Sequence, residues 1–150
     1  MNQWTVDAAV PAGELRVWLD DLLDDRAAPP GWIHVTTAHA AIALIDSGYV
    51  VELSLDHDLG DDDVAGKGVD VVDHIAEQQV VAGRDLWPRD GITIHSANPA
   101  GRDQMARTIE HYASELHDVR RVTTATGKPR FEFTPRGGID RPAARESTRR

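Results

Sequence analysis

Val50-Val51-Glu52-Leu53-Ser54-Leu55-Asp56-His57-Asp58-Leu59-Gly60 is an apolar, β-branched run that breaks off into two carboxylates, an imidazole and a glycine. A near-continuous apolar run of this length is the pattern of a strand buried on both faces in a parallel sheet. Open α/β sheets bind ligands in the crevice beyond the carboxyl ends of such strands. Asp56, His57 and Asp58 therefore stand where that architecture does its chemistry. Side chains of these types there can bind a metal, accept a phosphoryl group, or only cap a loop.

Reading outward from this step, strands alternate with helices. Leu15-Arg16-Val17-Trp18-Leu19 is a first strand ending at Asp20-Asp21, and Trp32-Ile33-His34-Val35-Thr36-Thr37 is a second. Residues 38–47 form a short helix capped by Thr37 and closed near Gly48. Beyond Gly60, residues 61–68 make a polar loop with two glycines, a candidate active-site flap. Apolar residues at 69, 71, 72, 75, 76 and 80 predict a helix over 69–81. Ile92-Thr93-Ile94-His95 is a fourth strand, stopped by Ser96-Ala97-Asn98-Pro99-Ala100-Gly101, and residues 102–116 place Met105, Ile109, Tyr112 and Leu116 on one helical face. Residues 119–124 and 130–133 flank Gly127 as two edge strands or a hairpin.

Such alternation implies βαβ units and a three-layer, doubly wound parallel sheet of about five strands. The expected domain covers residues 15–134, with a lead-in over 1–14 and a basic, disordered tail over 135–150.

At 150 residues the chain is long enough for one domain with a real core. With no cysteine, disulfides, zinc–thiolate sites and a thiol nucleophile are excluded. No apolar run approaches the ~20 residues that span a bilayer, and the first residues lack a signal-peptide pattern. The expectation is a soluble, cytoplasmic protein with no membrane partner. The net charge of −9 is uneven, because residues 135–150 carry five arginines against Asp140 and Glu146. An acidic body argues against a broad nucleic-acid-binding face, yet it leaves room for a nucleotide or a single RNA end. Acids crowd two windows, Asp20, Asp21, Asp24 and Asp25, then Asp56, Asp58, Asp61, Asp62 and Asp63. A divalent ion is one way to relieve such crowding, and surface exposure is another.

Three polar clusters thus terminate three predicted strands: Asp20-Asp21, Asp56-His57-Asp58 and His95-Ser96-Ala97-Asn98. Parallel strands carry all three to one edge of the sheet. Asp56 and Asp58 share a side if the extended backbone continues, with His57 pointing away; a turn at Asp56 would bring all three to the crevice. Carboxylates suit Mg²⁺ and Mn²⁺, so Asp20, Asp21, Asp56 and Asp58 are the expected metal ligands. His95 is a candidate general acid or base, and His57 is a candidate catalytic residue that, in place of Asp58, could complete the metal set, a mixed Asp/His set being compatible with Fe²⁺ or Zn²⁺ as well. Ser96 and Asn98 lead into a helix N-terminus that can hold phosphate, although Asn98 followed by Pro99 is also a good helix cap. His34, His39, His74, His111 and His117 read as packing or surface residues, and Trp18 and Trp32 as core.

With these pieces assembled, the chain resembles the cyclic-phosphate-processing receiver-like domain family, a divergent branch of the receiver fold. The resemblance rests on Val17-Trp18-Leu19-Asp20-Asp21, Pro29-Pro30-Gly31-Trp32, Leu53-Ser54-Leu55-Asp56-His57-Asp58-Leu59-Gly60, Gly68-Val69-Asp70-Val71-Val72 and His95-Ser96-Ala97-Asn98-Pro99-Ala100-Gly101, in that order. It implies a receiver/flavodoxin-like sheet and a role in hydrolysing or transferring cyclic phosphates. By the same resemblance Asp20 and Asp21 match a receiver's metal-binding acid pair, Asp56 its phosphoacceptor and Ser96 its hydroxyl residue. His57 and His95 are additions to that set. Lys128-Pro129 is similar to the Lys-Pro after a receiver's fifth strand, but it lies farther beyond Ser96 than usual and follows Gly127, so it is not placed in the site.

The expected function is a metal-assisted phosphoesterase acting on a small phosphate-bearing ligand, a cyclic nucleotide or an RNA end, with Mg²⁺ or Mn²⁺. The alternatives are a non-catalytic phosphoacceptor switch built on Asp56 and a module that sequesters a nucleotide.

Overall fold

Apolar residues at every second position set the layers of the molecule, because successive strand side chains point to opposite faces. In the computed structural model, residues 13–21, 28–59 and 66–136 are described. Along β1 (Leu15–Leu19), Leu15, Val17 and Leu19 are buried while Arg16 and Trp18 are half-buried on the other face. β3 (Val50–Leu55) buries Val51, Leu53 and Leu55 in the same way, after the short β2 (Ile33–Val35). β4 (Ile92–Ile94) adds Ile92 and Ile94 to that layer.

These residues form one core with α1 (Ala38–Asp46), α2 (Gly68–Ala82) and α3 (Pro99–Ala113). Each helix starts or stops where its local chemistry dictates. Thr37 Oγ1 accepts the Ala40 N–H at 3.1 Å at the head of α1. Gly83, at φ 66°, supplies the left-handed turn that ends α2. The last helix begins at Pro99 rather than at 102, because Asn98 Oδ1 caps the Gly101 N–H at 3.0 Å and proline fits the first turn.

The sheet has six strands in the order β2-β1-β3-β4-β6-β5. β2, β1, β3 and β4 are parallel. The segments flanking Gly127 form a hairpin of β5 (His117–Thr123) and β6 (Pro129–Pro135), one strand more than the five expected. β6 lies antiparallel against β4, with Thr93 opposite Arg130. The result is a mostly parallel, receiver/flavodoxin-like α/β fold.

The connections β2–α1–β3, β3–α2–β4 and β4–α3–β5 all step across the sheet in one direction. Right-handed crossovers then put the three helices on one face, where they pack in order. The β1–β2 connection steps the opposite way; its residues 22–27, including Asp24 and Asp25, lie outside the described residues. Winding therefore reverses between β1 and β3, where doubly wound sheets place their ligands. The greater part of the expected lead-in and tail, residues 1–12 and 137–150, also lies outside the description, as do residues 60–65 of the expected flap. Among the described residues no helix is long and apolar enough to cross a membrane.

Candidate functional site at the carboxyl edge of the sheet

The hydrogen-bond ladder runs one residue past β1, β3 and β4 and fixes the residue that follows each. The Asp20 N–H donates to Val35 O at 3.1 Å, the Asp56 N–H to Leu19 O at 2.9 Å, and the His95 N–H to Leu55 O at 2.9 Å. By the two-residue period, Asp20 follows Trp18, Asp56 follows Ser54 and His95 follows Thr93, all on the face away from the helices. A further tie comes from buried His34, whose Nε2 lies 2.8 Å from the Asp20 carbonyl oxygen. This histidine is a packing residue, as expected, and its ring ties down the end of β1.

Among the described residues, carboxylate oxygens of Asp20, Asp21 and Asp56 all lie within 4.8 Å of one another. Asp20 is 0% and Asp56 3% exposed, and Asp21 is half-buried. Carboxylates gathered this closely away from water repel one another unless a cation or a proton lies among them. Three hard oxygen donors converging at the sheet's reversal point fit Mg²⁺ or Mn²⁺.

His95 sits against this group and is held from three sides. Its Nε2 is 3.0 Å from Asp20 Oδ2, its Nδ1 is 2.7 Å from Ser54 Oγ, and its ring stacks on Trp18 at 4.4 Å and 15°. Donor and acceptor at the two ring nitrogens follow the tautomer: toward an ionised Asp20, Nε2 would donate, and Nδ1 of a neutral ring would then accept from the Ser54 hydroxyl.

His57 and Asp58 occupy the other side of the same edge. The His57 N–H donates to Asp56 Oδ1 at 2.8 Å, so its backbone orients that carboxylate while its ring turns to the helical face. There the ring lies against the first turn of α3, so closely that a Cβ on Gly101 would fall 2.4 Å from His57 Cγ. Asp58 is 63% exposed at its side chain, and the structure places it with His57 and Asn98 rather than in the three-carboxylate group. His57 Nδ1 lies 3.1 Å from Asp58 Oδ1, and Asn98 Nδ2 donates to Asp58 Oδ2 at 3.1 Å. These hydrogen bonds, His57 first and Asn98 second, hold the Asp58 carboxyl below its usual range. Ser96, 1% exposed, turns its Oγ to accept the Asn98 N–H at 3.1 Å.

Beneath this edge Gly68 opens α2, and its N–H donates to His57 O at 2.9 Å. A Cβ there would overlap the Asp56 carbonyl oxygen at 2.0 Å. Gly68 and Gly101 are thus close-approach glycines, one beneath Asp56 and the other beneath His57. Beyond residues 60–65 the loop closes through a bridge between Asp58 and Lys67.

On the face away from the described helices a cavity of about 450 Å³ opens beside His95, lined by Trp18, Trp32, Ser54, Thr93, His95 and Lys128 among others. Trp18 and Trp32, expected as core, are half-buried in its wall with their rings edge to face at 5.8 Å. Among the described residues the buried core tryptophan is instead Trp87. Lys128 also departs from expectation. β6 runs antiparallel to β4, so the residue before Pro129 arrives at the carboxyl end of β4, beside His95. Sequence spacing missed it because a parallel fifth strand would have had to end at the lysine, whereas here an antiparallel strand begins just after it.

A family model for the cyclic-phosphate processing receiver domain matches residues 15–111. The chain belongs to this family. No match was found among the curated proteins or among the solved structures. The match spans β1 to α3 and so contains Asp20, Asp21, Asp56, His57, Asp58 and His95. The β5–β6 hairpin with Lys128 lies beyond it.

Proposed function

We propose that this cyclic-phosphate processing receiver domain is a metal-assisted phosphoesterase that opens a cyclic phosphate of a nucleotide or of an RNA end. The observation that carries the reading is His95, fixed by Ser54, Asp20 and the Trp18 ring at the margin of the Asp20, Asp21 and Asp56 carboxylates. A phosphoacceptor switch has no evident need for an imidazole held in this way; a hydrolase needs an acid for its leaving oxygen.

Asp20, Asp21 and Asp56 would hold the ion, which when bound supplies charge to polarise the phosphate and to acidify a water. In the hydrolysis, water oxygen forms a bond to phosphorus, one ring P–O bond breaks, and the departing oxygen takes up a proton. The imidazolium form of His95 supplies that proton from Nε2, which turns from Asp20 to the departing oxygen, and regains one from the attacking water by way of solvent. His57 contributes through its backbone N–H, which orients Asp56. Ser96 and Asn98 shape the turn that the phosphate oxygens would approach.

The test is hydrolysis of 2′,3′-cyclic nucleotides and of RNA ends carrying a 2′,3′-cyclic phosphate, with Mg²⁺ or Mn²⁺. Metal-dependent opening, lost in Asp56→Ala and in His95→Ala, is expected. Activity indifferent to metal and unchanged in both variants would sink the mechanism.

One observation favours the switch as a second reading: Lys128 lines the cavity on the same edge as Asp56. Incubation with a small phosphodonor and Mg²⁺, followed by intact mass, decides it. Absence of an added phosphoryl group on Asp56 removes the switch.

A further inference from the structure

The face away from the described helices carries a feature that phosphate chemistry alone does not require. Carboxylates and a histidine suffice to process a phosphate, yet the cavity next to them is walled by two tryptophans. Its volume, about 450 Å³, lies within the range of small-molecule sites. Trp18 connects the two regions, because one ring stacks on His95 and meets Trp32 edge to face. Thr93 and Thr126 add hydroxyl groups to the lining, and Lys128 adds a cation.

From this juxtaposition we infer that the cavity is the subsite for the nucleobase of the substrate, with the base against the tryptophan wall and its cyclic phosphate reaching past His95 to the carboxylates. The inference rests on the phosphoesterase reading for the position of the phosphate and adds what the remainder of the substrate is. Aromatic side chains favour the flat face of a base whatever its identity, which makes such contacts tolerant of sequence. A cavity of this size, open on a face without described helices, suits one base rather than a stack of several. The hydroxyl groups around it can meet the polar edge of a base, which an aliphatic ligand lacks. Lys128, at the turn of the hairpin, brings positive charge toward an anionic ligand in an otherwise acidic protein.

The experiment titrates the full chain, with Mn²⁺ present, against cytidine 2′,3′-cyclic phosphate, a trinucleotide ending in a 2′,3′-cyclic phosphate, and glycerol 1,2-cyclic phosphate, which has the same phosphate ring and no base. Binding is read by calorimetry and by tryptophan fluorescence. Base stacking contributes roughly 1–3 kcal/mol, so a preference for the nucleotide over the glycerol compound of about 5- to 150-fold is expected. Trp32→Ala should bring that preference down toward unity. Thr126→Trp, at an exposed turn position on the rim, should reduce it by filling the cavity and guards against misfolding of the first variant. Equal affinity for nucleotide and glycerol compound, no binding of either, or a preference unchanged in both variants would overturn the base subsite. If the nucleotides bind with the expected preference but are never opened, the subsite stands and the phosphoesterase reading falls. Hydrolysis of both compounds without preference gives the opposite result. Comparing cytidine 2′,3′-cyclic phosphate with the trinucleotide tells whether the base belongs to a free nucleotide or to an RNA end.

Discussion

Asp56 and Asp58 are two residues apart in the chain, yet they belong to different regions of the molecule. Asp56 continues the β3 ladder, is 3% exposed, and converges with Asp20 and Asp21. Asp58 lies beyond the turn, is 63% exposed, and is tied to His57 and Asn98 at the head of α3. The difference shows that a motif at a strand end is not a site in itself. Where the ladder still holds the backbone, a carboxylate is delivered to a fixed place; one turn later it serves as a local brace.

The sharpest way to break this contrast is His95→Ala. Loss of a positioned general acid should lower turnover of a 2′,3′-cyclic nucleotide about 10²- to 10⁴-fold, with folding retained by circular dichroism. A smaller loss than tenfold would remove His95 from the chemistry. Next comes metal linkage. Mn²⁺ at about a hundred times its Kd should stabilise the protein by ~2.7 kcal/mol in denaturant titration. Asp56→Asn should abolish that gain and Asp58→Asn should keep it; equal loss in both would merge the two regions into one site.

Gly101→Ala probes the brace itself. The added methyl meets the His57 ring at 2.4 Å, and overpacking of this kind costs about 1–3 kcal/mol. Chemical denaturation should show that cost, and a neutral result would mean that the ring moves freely. Asn98→Ala removes a helix cap and one tie to Asp58, for a loss of about 1 kcal/mol in the same measurement.

The smallest effect lies far from either region, on the β5–β6 hairpin. There Arg120, in the main, and Arg130 hydrogen-bond to Glu132 and hold its carboxyl below the usual range, against a partial desolvation effect. A lowered folded-state pKa stabilises the protein above the unfolded carboxylate pKa, and the stabilisation fades as pH falls through the folded value. Glu132 is 40% exposed, so screening limits the pair to at most ~0.5 kcal/mol. Glu132→Gln should flatten the stability profile on the acid side by no more than that, as read by thermal unfolding at several pH values.

Much of this arrangement is legible in the linear sequence. Apolar strands ending in Asp20, Asp56 and His95 announce parallel strands whose carboxyl ends converge, since period-two burial and right-handed crossovers leave few other arrangements. Asn98-Pro99 marks a helix start for equally local reasons. Other features depend on partners distant in the chain. Gly68 and Gly101 look like ordinary loop or helix glycines until the Asp56 carbonyl and the His57 ring are seen against them. Trp18 and Trp32 look like core residues because composition cannot tell a wall of a core from a wall of a cavity. His34 looks like any strand histidine until the Asp20 carbonyl is found beside it.

The sequence by itself determined the fold class, the order of the parallel strands' functional ends, and the residue types offered there, because these follow from local periodicity and short-range sterics. Only the tertiary structure decided that Asp56 and Asp58 part company, that Lys128 reaches the edge from an antiparallel strand, and that two tryptophans enclose space beside His95. Those outcomes depend on strand direction and on contacts between segments far apart in the chain, which no local pattern encodes.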